Sequence, residues 1–167
     1  DELTGLYTFR YFKIRIEEEV TRCRRYRNSC ALILWDIDHF KKINDSYGHP
    51  FGNVVLKKVA EVMKNSIRRD IDIPIRYGGE EMALILPQTD ETGALILAER
   101  IRKQVESLEF PFEDTKVQVT ISGGISCFPN HAQQADGITK LSDDALYQAK
   151  SGGRNRVIIA TPEPKGS

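Results

Sequence analysis

Ile75-Arg76-Tyr77-Gly78-Gly79-Glu80-Glu81-Met82-Ala83-Leu84-Ile85-Leu86 reads as strand, turn, strand. Apolar residues run into a Gly-Gly bend and out of it again, which is the pattern of a β-hairpin. The glycines free the backbone to turn and remove side chains where a ligand would approach. Glu80 and Glu81 place two like charges at the tip, which repel unless cations or donors compensate. Taken alone, the stretch reads equally well as an acidic, solvated turn, so its surroundings decide.

Upstream, Cys30-Ala31-Leu32-Ile33-Leu34-Trp35 is a short apolar run suited to a central buried strand, and it ends in Asp36-Ile37-Asp38. Residues 39–45 form a short helical turn. From Phe51 to about Ile67, Val54, Val55, Val59, Val62 and Met63 mark a helix. Residues 8 to about 27 carry Phe9, Phe12, Ile16 and Val20 at helical spacing among charges. Downstream, a helix runs from about Thr92 to Leu108, with Leu95, Ala98, Ile101 and Val105 on one face. A strand from Val117 to Ser126, interrupted by Gly123-Gly124, follows. A helix from about Leu141 to Lys150 and a strand from Arg156 to Ala160 complete the pattern. Strand-helix-hairpin-helix-strand predicts a ferredoxin-like, α+β architecture. It has one central sheet of about five strands flanked by helices. Residues 1–160 form one domain, and the polar, Pro-rich residues 161–167 are read as a disordered tail.

A chain of 167 residues with 40% apolar content suits one domain with a normal core. Its 24 basic and 24 acidic residues cancel, which excludes a domain that coats a nucleic-acid strand by bulk charge. A local cationic pocket for small phosphates remains open. The three cysteines, Cys23, Cys30 and Cys127, form no CxxC pair or Cys/His cluster and read as buried thiols in a reducing compartment. No run of eighteen apolar residues and no signal peptide is present, so the domain is expected to be soluble, cytoplasmic and not itself inserted in a membrane.

Strand alternation puts Asp36 and Asp38 on one face, with Asp38 also placed to cap the next helical turn. If the hairpin pairs beside the first strand, Asp36 and Glu80 converge. Two such acids, together with bound phosphates, make a Mg²⁺ site. Lys41 and Lys42 begin a helical turn whose free N–H groups can bind phosphate. Lys150 and Arg154 lie at the end of the last helix, where Lys150 also compensates the helix dipole.

These residues, with Asp1-Glu2-Leu3-Thr4-Gly5-Leu6, Asp36 to Asp45, Tyr47 to Gly52, Arg76 to Met82, and Ala145 to Lys150 followed by Gly153-Arg154-Asn155, resemble the GGDEF family. That family is the catalytic domain of diguanylate cyclases. The resemblance spans Asp1 to about Ile159 and implies a fold of the nucleotidyl-cyclase type. It implies that two GTP molecules become cyclic di-GMP and pyrophosphate, through a catalytic homodimer in which each copy presents its nucleotide to the other. It implies Mg²⁺, or Mn²⁺ in its place, on Asp36, the Ile37 carbonyl, Glu80 and Glu81. It makes Glu80 the base for the attacking 3′-hydroxyl and Lys41 a stabiliser of the transition state. Phe40 would hold phosphates, Asn44 would touch guanine, and His49 would line the nucleotide site. Lys150 and Arg154 would bind the terminal phosphates. The resemblance also implies an inhibitory product site at Arg69-Asp70-Ile71-Asp72, an RxxD motif five residues before Gly78, with Arg100 as a further contact. The controlling signal would come from a regulatory domain in a longer parent chain.

Three departures stand out. Met82 replaces the usual Phe, and Thr8-Phe9 replaces Asn-Arg. Asn53 replaces an Asp that reads guanine. An amide offers one acceptor and one donor where a carboxylate offers two acceptors, so Asn53 weakens one guanine contact and can pair with adenine. Three alternatives stay open: a relaxed cyclase that makes cyclic GMP-AMP, a non-catalytic cyclic di-GMP receptor, and a polymerase-like nucleotidyltransferase.

Overall fold

The computed structural model describes residues 1–165. The elements are α1 (Phe9–Tyr26), β1 (Cys30–Ile37), α2 (Phe40–Tyr47), α3 (His49–Ser66), β2 (Ile73–Arg76), β3 (Glu81–Pro87) and α4 (Glu91–Glu106), then β4 (Phe110–Phe112), β5 (Thr115–Val117), β6 (Ile121–Phe128), α5 (Ala135–Ser151) and β7 (Val157–Ile159). Five strands form one sheet in the order β2-β3-β1-β6-β7, and β4-β5 is a separate small hairpin. All pairings in the large sheet are antiparallel except β6 with β7. The α+β reading with a five-stranded sheet therefore holds.

β1 is buried along its whole length because it is central and covered on both faces. Its side chains alternate between two cores. Ala31, Ile33, Trp35 and Ile37 pack with Val55, Val59 and Met63 of α3 and Ala98 and Ile101 of α4. Cys30, Leu32 and Leu34 pack with Phe12, Ile16 and Val20 of α1 and Ile138 and Leu146 of α5. The result is three layers with the sheet in the middle.

The two glycines of β6 serve opposite faces. Trp35 stands opposite Gly123 in register. A Cβ at Gly123 would lie 2.7 Å from the Trp35 ring, so the missing side chain makes room for the indole. A Cβ at Gly124 would lie 2.2 Å from the Ser142 carbonyl oxygen and 2.3 Å from the Leu146 nitrogen, so α5 rests on β6 backbone to backbone.

Two element starts differ from the sequence reading by several residues. α5 starts at Ala135 rather than Leu141. Its first two turns contain Gly137 and few apolar residues, so periodicity does not reveal them. Ile138 nevertheless is fully buried and holds the early turns down. The strand expected over 117–126 is cut: Val117 closes the small hairpin and the sheet strand begins only at Ile121. The three-residue strands β4 and β5 are too short to give an alternation signal. Residues 161–165 of the expected tail form no regular element, yet the Glu163 N–H donates to the His131 carbonyl at 2.8 Å. Residues 166 and 167 lie outside the described residues. No helix among the described residues is long and apolar enough to cross a membrane.

All three cysteines are free and buried. Burial pushes each thiol up: Cys127 to about 12, Cys30 beyond the ordinary thiol range with help from Cys23, and Cys23 above its usual value. Thiolate is the reactive species. At pH 8 the native protein is therefore expected to leave all three thiols unmodified by a disulfide reagent over minutes, while denaturant exposes all three. Fast labelling of the native protein would contradict this packing.

Candidate active site

The hairpin does lie beside β1. Asp36 is opposite Glu81 in the ladder, and the Ile37 N–H donates to the Glu80 carbonyl at 3.2 Å. Tyr77 and Gly78 N–H groups both donate to the Glu81 carbonyl, at 2.9 and 3.1 Å, which closes the turn. A Cβ at Gly78 would lie 2.6 Å from Glu81 Oε2, so Gly78 leaves space for that carboxylate to fold back over the bend. A Cβ at Gly79 would meet nothing within 4 Å. Packing does not require that glycine, and its open side faces outward. The Arg76 guanidinium braces the turn, giving one N–H to the Gly79 carbonyl at 2.9 Å and another to the Asp1 carboxylate at 3.2 Å.

Three carboxylates thus gather at one end of the sheet, and one ammonium meets them. Lys150 Nζ donates to Asp36 Oδ2 at 2.5 Å. Burial still holds the Asp36 carboxyl above its usual range: desolvation outweighs the lowering by Lys150, and Glu80 and Asp38 add repulsion. Glu81 is raised as well, by burial first, then by Asp36 and Glu80 against the pull of Lys150. This corner is short of positive charge. The sequence reading gave Lys150 to terminal phosphates; in the folded chain it stands in for a cation beside Asp36.

Asp38 has a different part. Its carboxylate accepts from Thr120 Oγ1 and Ser122 Oγ, both at 2.7 Å, and from the Asn155 N–H at 3.0 Å. It does not cap α2, whose N-terminal His39 makes no side-chain cap bond. It fastens β6 to the turn after α5. That turn carries Arg154, half-buried and with a left-handed backbone, φ 64°.

The residues expected to hold a nucleotide come together where α2 meets α3. The two helices join through Gly48, at φ 89°. A Cβ at Gly52 would stand 1.9 Å from Asn44 Oδ1 and 3.2 Å from the Phe40 ring, so the start of α3 can sit against α2 only without a side chain there. Asn44 Oδ1 is buried without a hydrogen-bond partner. A buried orphan acceptor is costly unless something else donates to it. It borders a cavity of about 270 Å³ lined by Phe40, Lys41, Asn44, His49 and Asn53, together with Arg76, Gly79 and Glu80. The structure therefore brings five expected nucleotide residues to one cavity and places Glu80 on its edge. Asp36, Ile37, Glu81 and Lys150 lie outside that cavity's lining.

The donors available to a metal are all oxygens: the Asp36, Glu80 and Glu81 carboxylates and the Ile37 carbonyl. Among the described residues no three His, Cys, Asp or Glu side chains form a ready cage. An all-oxygen, incomplete set beside a phosphate-sized opening fits Mg²⁺, which takes few protein ligands and fills its shell with substrate oxygens and water.

The RxxD trio does not converge. Asp72 is buried and its carboxylate is held by Arg68: the Arg68 N–H donates at 2.8 Å, Nη2 at 2.6 Å, and Nε to both oxygens at 3.1 and 3.2 Å. Arg68 also reaches the Pro87 carbonyl at 2.7 Å. The expected guanine acceptor is thus engaged within its own turn. Arg68 was missed because Arg-x-x-x-Asp in a polar connection reads as scattered charge; the four-residue spacing around a tight turn was the only signal. Arg69 lines one cavity, of about 500 Å³, and Arg100 lines another, of about 420 Å³. Arg100 donates to the Ser66 carbonyl at 2.7 Å. Asp72 borders both.

The family model described as "Diguanylate cyclase, GGDEF domain" matches residues 1–156. The chain belongs to the GGDEF family. This GGDEF domain is 38% identical over 163 residues to "Diguanylate cyclase A" of Treponema denticola, covering 96% of this chain and 44% of the relative. It is 39% identical over 160 residues to "Response regulator PleD" of Caulobacter vibrioides, covering 95% of this chain and 35% of that protein. It thus spans less than half the length of these curated relatives. Among solved structures, the GGDEF domain of DgcB from Caulobacter crescentus, in complex with c-di-GMP, superposes with a TM-score of 0.89 at 30% identity, covering 95% of this chain and 91% of that one.

Gly52→Ala separates the fold of this GGDEF domain from its cavity. Alanine favours a helix over glycine by about 1 kcal/mol, but its methyl overpacks the contact with Asn44 at a cost of about 1–3 kcal/mol, so the variant is expected to fold with a modestly lowered melting temperature. The new methyl group must displace Asn44, and GTP binding is expected to weaken about tenfold, the loss of roughly one hydrogen bond. Titration calorimetry beside a melting curve checks both; unchanged GTP affinity would remove Asn44 from the nucleotide site.

Proposed function

We propose that this GGDEF domain condenses two GTP molecules into cyclic di-GMP and pyrophosphate. The observation that carries the reading is the position of Glu80. It lines the cavity of Asn44, Asn53 and Lys41, and its carbonyl is hydrogen-bonded to β1 beside Asp36. One residue thereby joins the Asn44–Asn53 cavity to an anionic corner short of cations.

In this reading the 3′-hydroxyl oxygen of one GTP attacks the α-phosphorus of the other. The bond to pyrophosphate breaks, and the hydroxyl proton passes to Glu80. Asn44 and Asn53 hold the guanine, His49 lines its pocket, and Phe40 and Lys41 take the phosphates, Lys41 stabilising charge as it develops. Asp36, the Ile37 carbonyl, Glu80 and Glu81 would hold Mg²⁺ or Mn²⁺. The ion supplies charge neutralisation on the phosphates. Lys150, released from Asp36 once that charge is met, and Arg154 bind the terminal phosphates. One copy offers one set of carboxylates, so two copies pair across a two-fold axis. Segments of a longer parent chain set that pairing. Product bound at Arg69 inhibits the pair.

Asn53 lines the cavity and favours a second reading, relaxed purine choice. Mass identification of products from GTP, ATP and their mixture, with Mg²⁺, tests both. Cyclic di-GMP is expected as the main product, Glu80→Gln is expected to lower the rate at least about a hundredfold, and Asn53→Asp to suppress any adenine incorporation. A domain that forms no product at any protein concentration, yet binds cyclic di-GMP, would be a receptor.

A further inference from the structure

Asp72 is held by Arg68, and an aromatic surface nearby is a further candidate partner for the base of the inhibitory ligand. The cavity beside Arg69 offers one. Tyr7 and Tyr11 stack there with ring centroids 4.4 Å apart and planes 24° apart. Tyr7 remains 49% exposed, and both rings belong to the cavity lining. Tyr7 is rigidly mounted. The Tyr7 N–H donates to the Pro74 carbonyl at 3.0 Å, and the Arg76 N–H donates to the Tyr7 carbonyl at 2.8 Å, so the residue hangs on the edge strand β2.

Cations surround the shelf. Lys64, Arg69 and Arg15 line the same cavity. Among the described residues, neither Lys64 nor Arg69 forms an ion pair, and Lys64 Nζ gives one bond to the Thr4 carbonyl at 2.9 Å. Arg15 lies 5.9 Å from the Tyr11 ring centre, and its Nε is buried without a partner. Asp70 also lines the cavity, but the charge of Asp72 is met by Arg68. Arg15 is paired with Glu18 at 2.9 Å, which leaves Lys64 and Arg69, and a flat aromatic face beside those two cations is what a purine with an attached phosphate requires. At about 500 Å³ the cavity admits one nucleotide unit.

We propose that Tyr7, stacked on Tyr11, is the base-stacking shelf of the product site, with Lys64 and Arg69 on the adjoining phosphate, while Asp72 serves as a brace for the turn. This rests on the reading that product inhibits through Arg69. Cyclic di-GMP and GTP share the required chemistry, and both are used as probes. Each is titrated into wild type, Tyr7→Leu, Tyr7→Phe and Arg69→Ala, alongside initial rates from GTP. Leucine keeps bulk and removes the π face. Tyr7→Leu is expected to weaken cyclic di-GMP binding at least about tenfold, from the usual worth of base stacking. Tyr7→Phe is expected to retain binding, and GTP affinity and initial rate are expected to stay unchanged in both. Full affinity in Tyr7→Leu with loss in Arg69→Ala would overturn the shelf and leave the inhibitory site standing. Absence of cyclic di-GMP binding by the wild type would overturn both. Loss of GTP affinity in Tyr7→Leu would move the ligand of this shelf to the substrate and overturn the proposal.

Discussion

Asp36, Glu80 and Glu81 repel one another at the end of a sheet whose register gives them no way to separate. Asp36 cannot leave Glu81 without breaking the β1–β3 ladder, and Glu80 is tied to Ile37 through its own carbonyl. Burial sharpens the conflict, since charges removed from water interact more strongly. Lys150 relieves part of it through Asp36. The remaining imbalance is a standing demand for cations, held by a rigid frame rather than by a flexible loop. A site of this kind costs stability and is retained where it serves chemistry.

The carboxylate frame and the α2–α3 cavity rest on different supports. The carboxylates belong to strands in the middle layer. Phe40, Lys41, Asn44, His49 and Asn53 belong to the α2–α3 pair, packed over one face of that layer. Ile43, Phe51 and Val55 anchor that pair to the core that also holds Trp35 and Met82. In the proposed reading the helices would place the base and the strands the charge, and Glu80 sits where the two elements meet. Met82, in place of the family's usual Phe, is 1% exposed in this core and leaves the hairpin register intact.

Much of this was legible in the sequence because it is carried by runs and spacings. β1 is an apolar run ending in Asp36, and β3 is another beginning after Gly78-Gly79. Their pairing brings the acids together, as the pattern implied. Asn44 and Asn53 both reach one cavity because α2 and α3 meet head to tail at Gly48. What was not legible depends on choices made between distant or competing partners. Asp38 looked like a cap for the next helical turn, and instead joins Thr120, Ser122 and Asn155. Asp72 looked open to ligand, but Arg68, four residues before it, fits its carboxylate more closely than the spacing alone suggests. The first turns of α5 were hidden because one buried residue, Ile138, does the work that periodicity would have shown across several.

The contact of Gly124 with α5 has a bearing on chain length. Helix backbone touches strand backbone at Ser142 and Leu146, so α5 can neither slide nor rotate on β6. Lys150 follows Leu146 by one helical turn, and that phase aims its ammonium at Asp36. Adding or removing a single residue between them would swing Lys150 by about 100° around the helix. Among chains built on this plan, the count of residues between strand contact and lysine is a quantity to conserve, whatever residues fill it. Tyr147 and Gln148 are exposed and free to vary in kind, but not in number.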